Sequence, residues 1–394
     1  MIDLLKHIML SDAAWYAITT VVILMPPATT VLSRYLSISA EEANAERIWL
    51  ESRRLSRALQ LITVAFWWGL WDLQRPPTLT ALPLIVLFWT PPVVSIGVSH
   101  IVACWTSRII LKQKWALTDI LRLAWWNTVS PTAALLFVAT GFELIYEKRL
   151  LGFFWLVIAA VVALIGTIRL SSAEGVTLKR IKSGKAYTRA FQLAKKMGVK
   201  LERVCVVPAG RGHLTNAYSS RRGIALTDNY GEFLHGAQLD YVIGHELGHL
   251  KRKHMRKKLL TMLLLYLVPA LILFVLPPLP LRLWALADLI LILGPMLAFY
   301  SVSRCSEYAA DRESIELTSD PKAAVQALAN LYRMTATPVS CGRLQELFLT
   351  HPSFMPRAEA IARTGKMDLS RIDEILGHAG LLETTFHEIP ILDD

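Results

Sequence analysis

The sequence predicts a mainly α membrane protein of about seven transmembrane helices, five before and two after the stretch HELGH at 245–249, with a cytoplasmic α+β domain built around that stretch. Three observations predict it. The 394 residues are 54% hydrophobic with a mean hydropathy of +0.41, too apolar for the surface of a water-soluble globule. Seven segments approach the roughly 20 apolar residues that a helix needs to cross the hydrocarbon core. The formal charge of +11 is gathered in alternate loops, a pattern of membrane orientation rather than of nucleic-acid binding, for which no motif is present.

The apolar segments are 14–32, 58–73, 79–105, 123–142, 150–168, 259–276 and 283–302. Pro91 and Pro92 fall in the third and predict a kink or break near its middle. Lys6 ahead of the first suggests a cleaved signal sequence, but Pro26 and Pro27 interrupt it and no small-residue cleavage site follows, so it is read as a span. The loop 33–57 carries Arg34, Arg47, Arg53, Arg54 and Arg57, and the loop after the third segment carries Arg108, Lys112 and Lys114. The intervening ends hold only Lys6, Arg75, Lys148 with Arg149, and Arg282. The positive-inside rule then sets the N-terminus outside, and the polar segment and C-terminus in the cytoplasm. The membrane is the plasma membrane in a prokaryote, or the ER or nuclear membrane in a eukaryote.

Four parts follow: a five-span membrane domain 1–168, a cytoplasmic segment 169–258, two spans 259–302 and a cytoplasmic helical tail 303–394. Cys104, Cys205, Cys305 and Cys341 have no CxxC spacing and read as free thiols in a reducing compartment. Between 171 and 239 the pattern is that of a small mixed domain, with a helical rhythm over Lys185–Met197 and strands at 199–207, 216–219 and 223–227. In the tail, 323–334 is the clearest amphipathic helix.

A helix through 238–254 puts His245 and His249 one turn apart on one side. Two imidazoles so placed grip one Zn²⁺, with Glu246 beside them aimed at a water on the metal. The plainer reading is a surface helix ahead of a basic collar, Lys251, Arg252, Lys253, Arg256, Lys257 and Lys258, that meets anionic lipid heads. Both readings fit one continuous helix that carries the histidines first and enters the membrane later. A catalytic zinc wants a third protein ligand. The best acidic candidates are Glu307 and Asp311, four apart and so on one helical face: Glu307 to ligate, Asp311 to hold one histidine ring by its far nitrogen. Asp288, within the last span, is not assigned to the metal. Arg304 either pairs with an acid of the tail or anchors the end of that span, and the anchor is favoured.

HELGH at 245–249, ExxxD at 307–311, THPSFMPR at 350–357 and NAYSS at 216–220 together resemble the integral-membrane zinc metallopeptidases of the gluzincin group. That family includes the type I CaaX prenyl endopeptidase, the bacterial heat-shock membrane protease and the mitochondrial overlapping-activity protease. The motifs cover about half the chain, 185–361, and five spans before HELGH with two after is similar to the type I CaaX protease. The resemblance implies one zinc per chain on His245, His249 and Glu307, general-base work by Glu246 and oxyanion stabilisation by His351. It implies that Asn216 and Ala217 form an exposed strand edge that binds substrate backbone, against the reading of an ordinary surface turn. Arg357 reads either as a structural salt bridge or as a support for His351. The spans are implied to surround a chamber; polar residues within them, Ser95, His100, Asn127 and Asp288, suit a wet interior and interhelical hydrogen bonds equally.

The expected partners are the lipid bilayer and a peptide or protein substrate, prenylated or membrane-embedded, with no nucleic acid. A quality-control protease for membrane proteins is the nearest alternative. A seven-span transporter or receptor with a structural metal site is disfavoured by Glu246, since a structural zinc has no use for a base beside its ligands.

Overall fold

The computed structural model describes residues 12–39, 59–60, 63, 82–110, 116–173, 179–207, 217–220, 222–228, 230, 234, 236–277, 281–334, 339, 346–347, 349 and 351–378. They divide into two compact units, Met1–Glu174 with Leu276–Leu289, and Gly175–Val275 with Ile290–Asp394.

The first unit holds α1 (Asp12–Ser39), α2 (Leu82–Ile110), α3 (Leu117–Tyr146) and α4 (Leu151–Ala173). Pro91 and Pro92 do not break α2, and Pro26 and Pro27 lie inside α1. Proline costs a helix its own hydrogen bond and the carbonyl it faces, and neighbouring hydroxyls and helices satisfy what is freed. In α1 the carbonyl that Pro27 leaves without its helical donor is that of Ile23, and the Ser95 hydroxyl donates to it. α3 and α4 approach closely where each has a glycine: a Cβ on Gly152 would lie 2.4 Å from the Gly141 oxygen. Two of the polar residues within spans make interhelical hydrogen bonds, Ser95 to the Ile23 carbonyl and His100 Nδ1 to Thr128 Oγ1 at 2.8 Å. The side chains of Asn127 and Asp288 lie outside the described residues, as does most of the segment 58–73.

The second unit begins with β1 (Lys179–Ile181), α5 (Lys185–Met197), β2 (Arg203–Val207), β3 (Ala217–Ser220) and β4 (Gly223–Thr227). It continues with α6 (Ala237–Arg252), α7 (His254–Val275), α8 (Leu281–Thr318), α9 (Pro321–Met334), α10 (Phe354–Thr364) and α11 (Ser370–His378), α8 starting in the first unit. The sheet order is β1-β2-β4-β3, with β2 and β4 parallel and β3 antiparallel at one edge. α5 spans the range its periodicity marks, whereas the three-residue β1 is too short to leave a pattern of alternation. The core joins Leu193, Val204, Ile224, Tyr241, Leu247, Leu328 and Phe354, so the sheet, α6 and the tail helices bury one another.

The collar does not continue a single helix. α6 ends at Arg252, Lys253 takes a left-handed conformation at φ 52°, and α7 restarts at His254. Lys251 and Arg252 reach Glu313 of α8 at 2.6 and 2.7 Å rather than serving only lipid heads. Beyond them Arg256–Val275 has a mean hydropathy of 2.3 and is 6% buried; among the described residues it is the one stretch both long and apolar enough to cross a membrane.

Candidate metal centre

The site is built where α6 crosses α8, and glycine lets the two helices meet. A Cβ on Gly248 would lie 3.0 Å from Ala310 Cα, and one on Gly244 would lie 2.5 Å from Ser314 Oγ. With those faces bare, α6 lies directly on α8, and Ser314 Oγ donates to the Tyr241 carbonyl at 2.7 Å. The crossing turns His245 and His249 toward Glu307 and Asp311, which share one face of α8.

His245 Nε2 and His249 Nε2 are 3.1 Å apart, and Glu307 stands 3.5 Å from each through Oε2 and Oε1. Tetrahedral ligands at zinc bond lengths of about 2.0–2.2 Å are separated by about 3.4 Å. Two imidazoles and a carboxylate at these spacings therefore fit one zinc ion, and the three are a possible metal site by ligand type as well. All three are buried or nearly so.

Charge at the site is arranged by burial and by close partners. Burial opposes a charge on His245, but hydrogen bonds from its ring to the Asp311 and Glu307 carboxylates raise it to about 10. Burial and the neighbouring His245 charge push His249 down to about 3. Burial likewise opposes ionisation of Glu307, yet His245 and His351 hold it well below the usual carboxylate range. Carboxylates that favour a cation at His245 Nε2 in this way favour one between the three ligands too. Glu246 is also buried, and burial raises its carboxyl against the lowering effects of His245 and a hydrogen bond from Ser219.

Around the ligands, Asp311 is the hub. It accepts from His245 Nδ1 at 2.8 Å, Tyr241 Oη at 2.7 Å, and Arg357 Nε and Nη2 at 2.9 and 2.8 Å. Arg357 thus forms a buried two-pronged pair with Asp311 and approaches Glu307 at 3.8 Å, and it is not bonded to His351. His351, two-thirds exposed, places Nδ1 3.0 Å from Glu307 Oε2. Arg304, one turn before Glu307, donates to the carbonyls of Leu347 and Leu349 at 2.9 and 3.0 Å, which ties the segment just before His351 to α8. Tyr332 donates to the Pro352 carbonyl from the other side. Ala217 lies on the edge strand, opposite Leu226 of β4, while Asn216 lies outside the described residues.

Pattern reading missed two partners. Tyr241 is four residues before His245, so a helical wheel puts its hydroxyl on the side of the ligands, but nothing in the sequence names Asp311 as its acceptor. His254, with Nδ1 2.7 Å from His249 Nδ1, is brought there only by the break at Lys253.

Residues 183–364 match the family model described as Peptidase family M48. The chain carries a peptidase family M48 domain. That makes it a zinc metalloprotease, and His245, Glu246, His249 and Glu307 all fall within the matched range. The M48 domain is similar to a Protease HtpX homolog of Salinibacter ruber, 27% identical over 233 residues that cover 51% of this chain and 79% of the relative. A Protease HtpX homolog of Burkholderia thailandensis is 26% identical over 219 residues, 46% of this chain and 75% of its own. The fold is similar to the crystal structure of S. mikatae Ste24p, with a TM-score of 0.55 at 14% identity over 87% of this chain and 98% of that one. The likeness of fold therefore extends beyond the M48 domain into the N-terminal helices.

Proposed function

We propose that the chain is a seven-span membrane zinc endopeptidase that cuts peptide bonds near the cytoplasmic membrane face, with Glu246 as general base. The observation that carries this is the triangle of His245, His249 and Glu307, whose 3.1–3.5 Å sides suit one zinc, with Glu246 buried in the turn between the two histidines. Six of the seven apolar segments fall on helices, and the basic loops support the cytoplasmic orientation.

Zinc held there supplies a Lewis acid that polarises the scissile carbonyl and acidifies water. Glu246, its affinity for protons raised by burial, takes a proton on its carboxylate from the attacking water and returns it to the leaving amine. His245 is held in one tautomer by Asp311, and Asp311 is held in turn by Arg357 and Tyr241. His351 donates to the developing oxyanion from the exposed rim of the site, a role its contact with Glu307 supports. His351→Ala is expected to lower kcat by about 10²–10³-fold with zinc content unchanged; an unchanged kcat would remove His351 from the reaction. The edge position of β3 supports binding of the substrate backbone along Asn216 and Ala217.

The substrate class has two readings. The plan of five spans before HELGH and two after, which resembles that of the type I CaaX protease, favours a prenylated CaaX peptide, and the quality-control reading favours an unmodified membrane protein. Cleavage of matched farnesylated and unprenylated CaaX peptides decides between them. The first reading expects a strong preference for the farnesylated peptide, and equal rates for both would leave the second.

A further inference from the structure

We propose that His254 is a positioning residue for the metal, an imidazole acceptor that fixes the ring of His249 as Asp311 fixes that of His245. The two ligand rings present Nε2 to the shared site, so each must find a partner for Nδ1. For His245 the partner is a carboxylate, Asp311 at 2.8 Å. For His249 it is another imidazole, His254 Nδ1 at 2.7 Å, with the two ring planes nearly perpendicular at 78°. With Nε2 of His249 turned to the metal, its proton sits on Nδ1 and is donated to the lone pair of His254 Nδ1, which leaves the His254 proton on Nε2.

This contact is made by the backbone. Along a straight helix, residues five apart point about 140° away from each other, and His254 would face away from His249. Lys253 at φ 52° and ψ 40° ends α6, and its N–H bonds back to the carbonyls of His249 and Leu250. α7 then restarts at once with His254 as its first residue, buried at 5% exposure against the ligand helix. A side chain other than glycine pays a steric cost in the left-handed region, so the conformation at Lys253 is held by its surroundings. Lys251 and Arg252, clasped to Glu313, fix the turn just before it. Histidine suits the position because it accepts without adding a negative charge, whereas a second carboxylate would add one next to Glu307 and Asp311.

The inference rests on the zinc reading of His245, His249 and Glu307, and its test reads metal affinity rather than cleavage. Zinc affinity of the detergent-purified full chain is measured by chelator competition for wild type, His254→Leu and His254→Asn, along with the visible spectrum of the cobalt-substituted forms and the Tm of the chelator-treated protein. The leucine variant keeps bulk and loses the acceptor; asparagine keeps an acceptor near the position of Nδ1. Expected are a 10–100-fold weaker zinc affinity and a shifted cobalt spectrum for His254→Leu, with His254→Asn within about threefold of wild type by the same scale. Equal affinity in all three, or equal weakening in both variants, would overturn the proposal. Should His254→Leu lower the Tm, His254→Asp decides, since a carboxylate acceptor is expected to bind zinc at least as tightly as wild type and a weaker affinity would overturn the proposal. Wild-type protein that takes up no zinc would instead overturn the metal-site reading itself.

Discussion

Glu246→Gln is expected to reduce cleavage by about 10²–10⁴-fold, the usual weight of a general base, while zinc stays bound at wild-type stoichiometry. The reason is separation of roles along α6. His245 and His249 point their Nε2 atoms at Glu307, and Glu246 is not among the three atoms that define the triangle. Glutamine keeps the size and the capacity to accept from Ser219 but cannot take a proton. The loss should therefore fall on kcat rather than KM. A variant that retains cleavage would show that Glu246 is a structural acid, and one that loses zinc as well would mean that its charge holds the site together.

Arg357→Met is expected to cost about 3–5 kcal/mol of stability, because it strips the paired cation from a buried carboxylate. Asp311 is 2% exposed and Arg357 supplies two of its four hydrogen bonds. Burial opposes ionisation of Asp311, and Arg357 with His245 holds it well below the usual range. A carboxyl depressed in the folded state contributes stability above its unfolded pKa of about 3.9 and loses it as pH falls toward the folded value. The difference in Tm between wild type and variant should accordingly be largest near neutral pH and shrink in acid. Zinc affinity should fall too, by about 10–100-fold, as His245 loses a fixed partner. An unchanged Tm at neutral pH would mean that the buried pair is replaceable by apolar packing.

Much of the domain is legible because its patterns are local. The spacing of His245, Glu246 and His249 and that of Glu307 and Asp311 define helical faces, and the segments 199–207, 216–219 and 223–227 read as strands where β2, β3 and β4 lie. The elements that escape are those set by tertiary contact. Of the kink or break that Pro91 and Pro92 predict, the break does not occur: α2 runs through them, since a helix packed on its neighbours tolerates a lost hydrogen bond. Lys251 and Arg252 read as lipid-facing collar, yet Glu313, 62 and 61 residues on, claims both. The left-handed turn at Lys253 has no glycine or asparagine to announce it, so the contact of His254 with His249 is hidden in the sequence, although both residues are in view. Arg357 shows the same limit: position in a motif gives it a role but not a partner, and its partner is Asp311.

Metal analysis of the full-length protein purified in detergent tests the central claim most directly, with peptide cleavage followed in the same sample through chelation and readdition of zinc. The account predicts one zinc per chain, cleavage lost as the chelator removes it and regained as zinc returns, and no zinc retained by Glu307→Ala. Protein that cleaves at full rate with no metal bound, or that holds its zinc without Glu307, would contradict it.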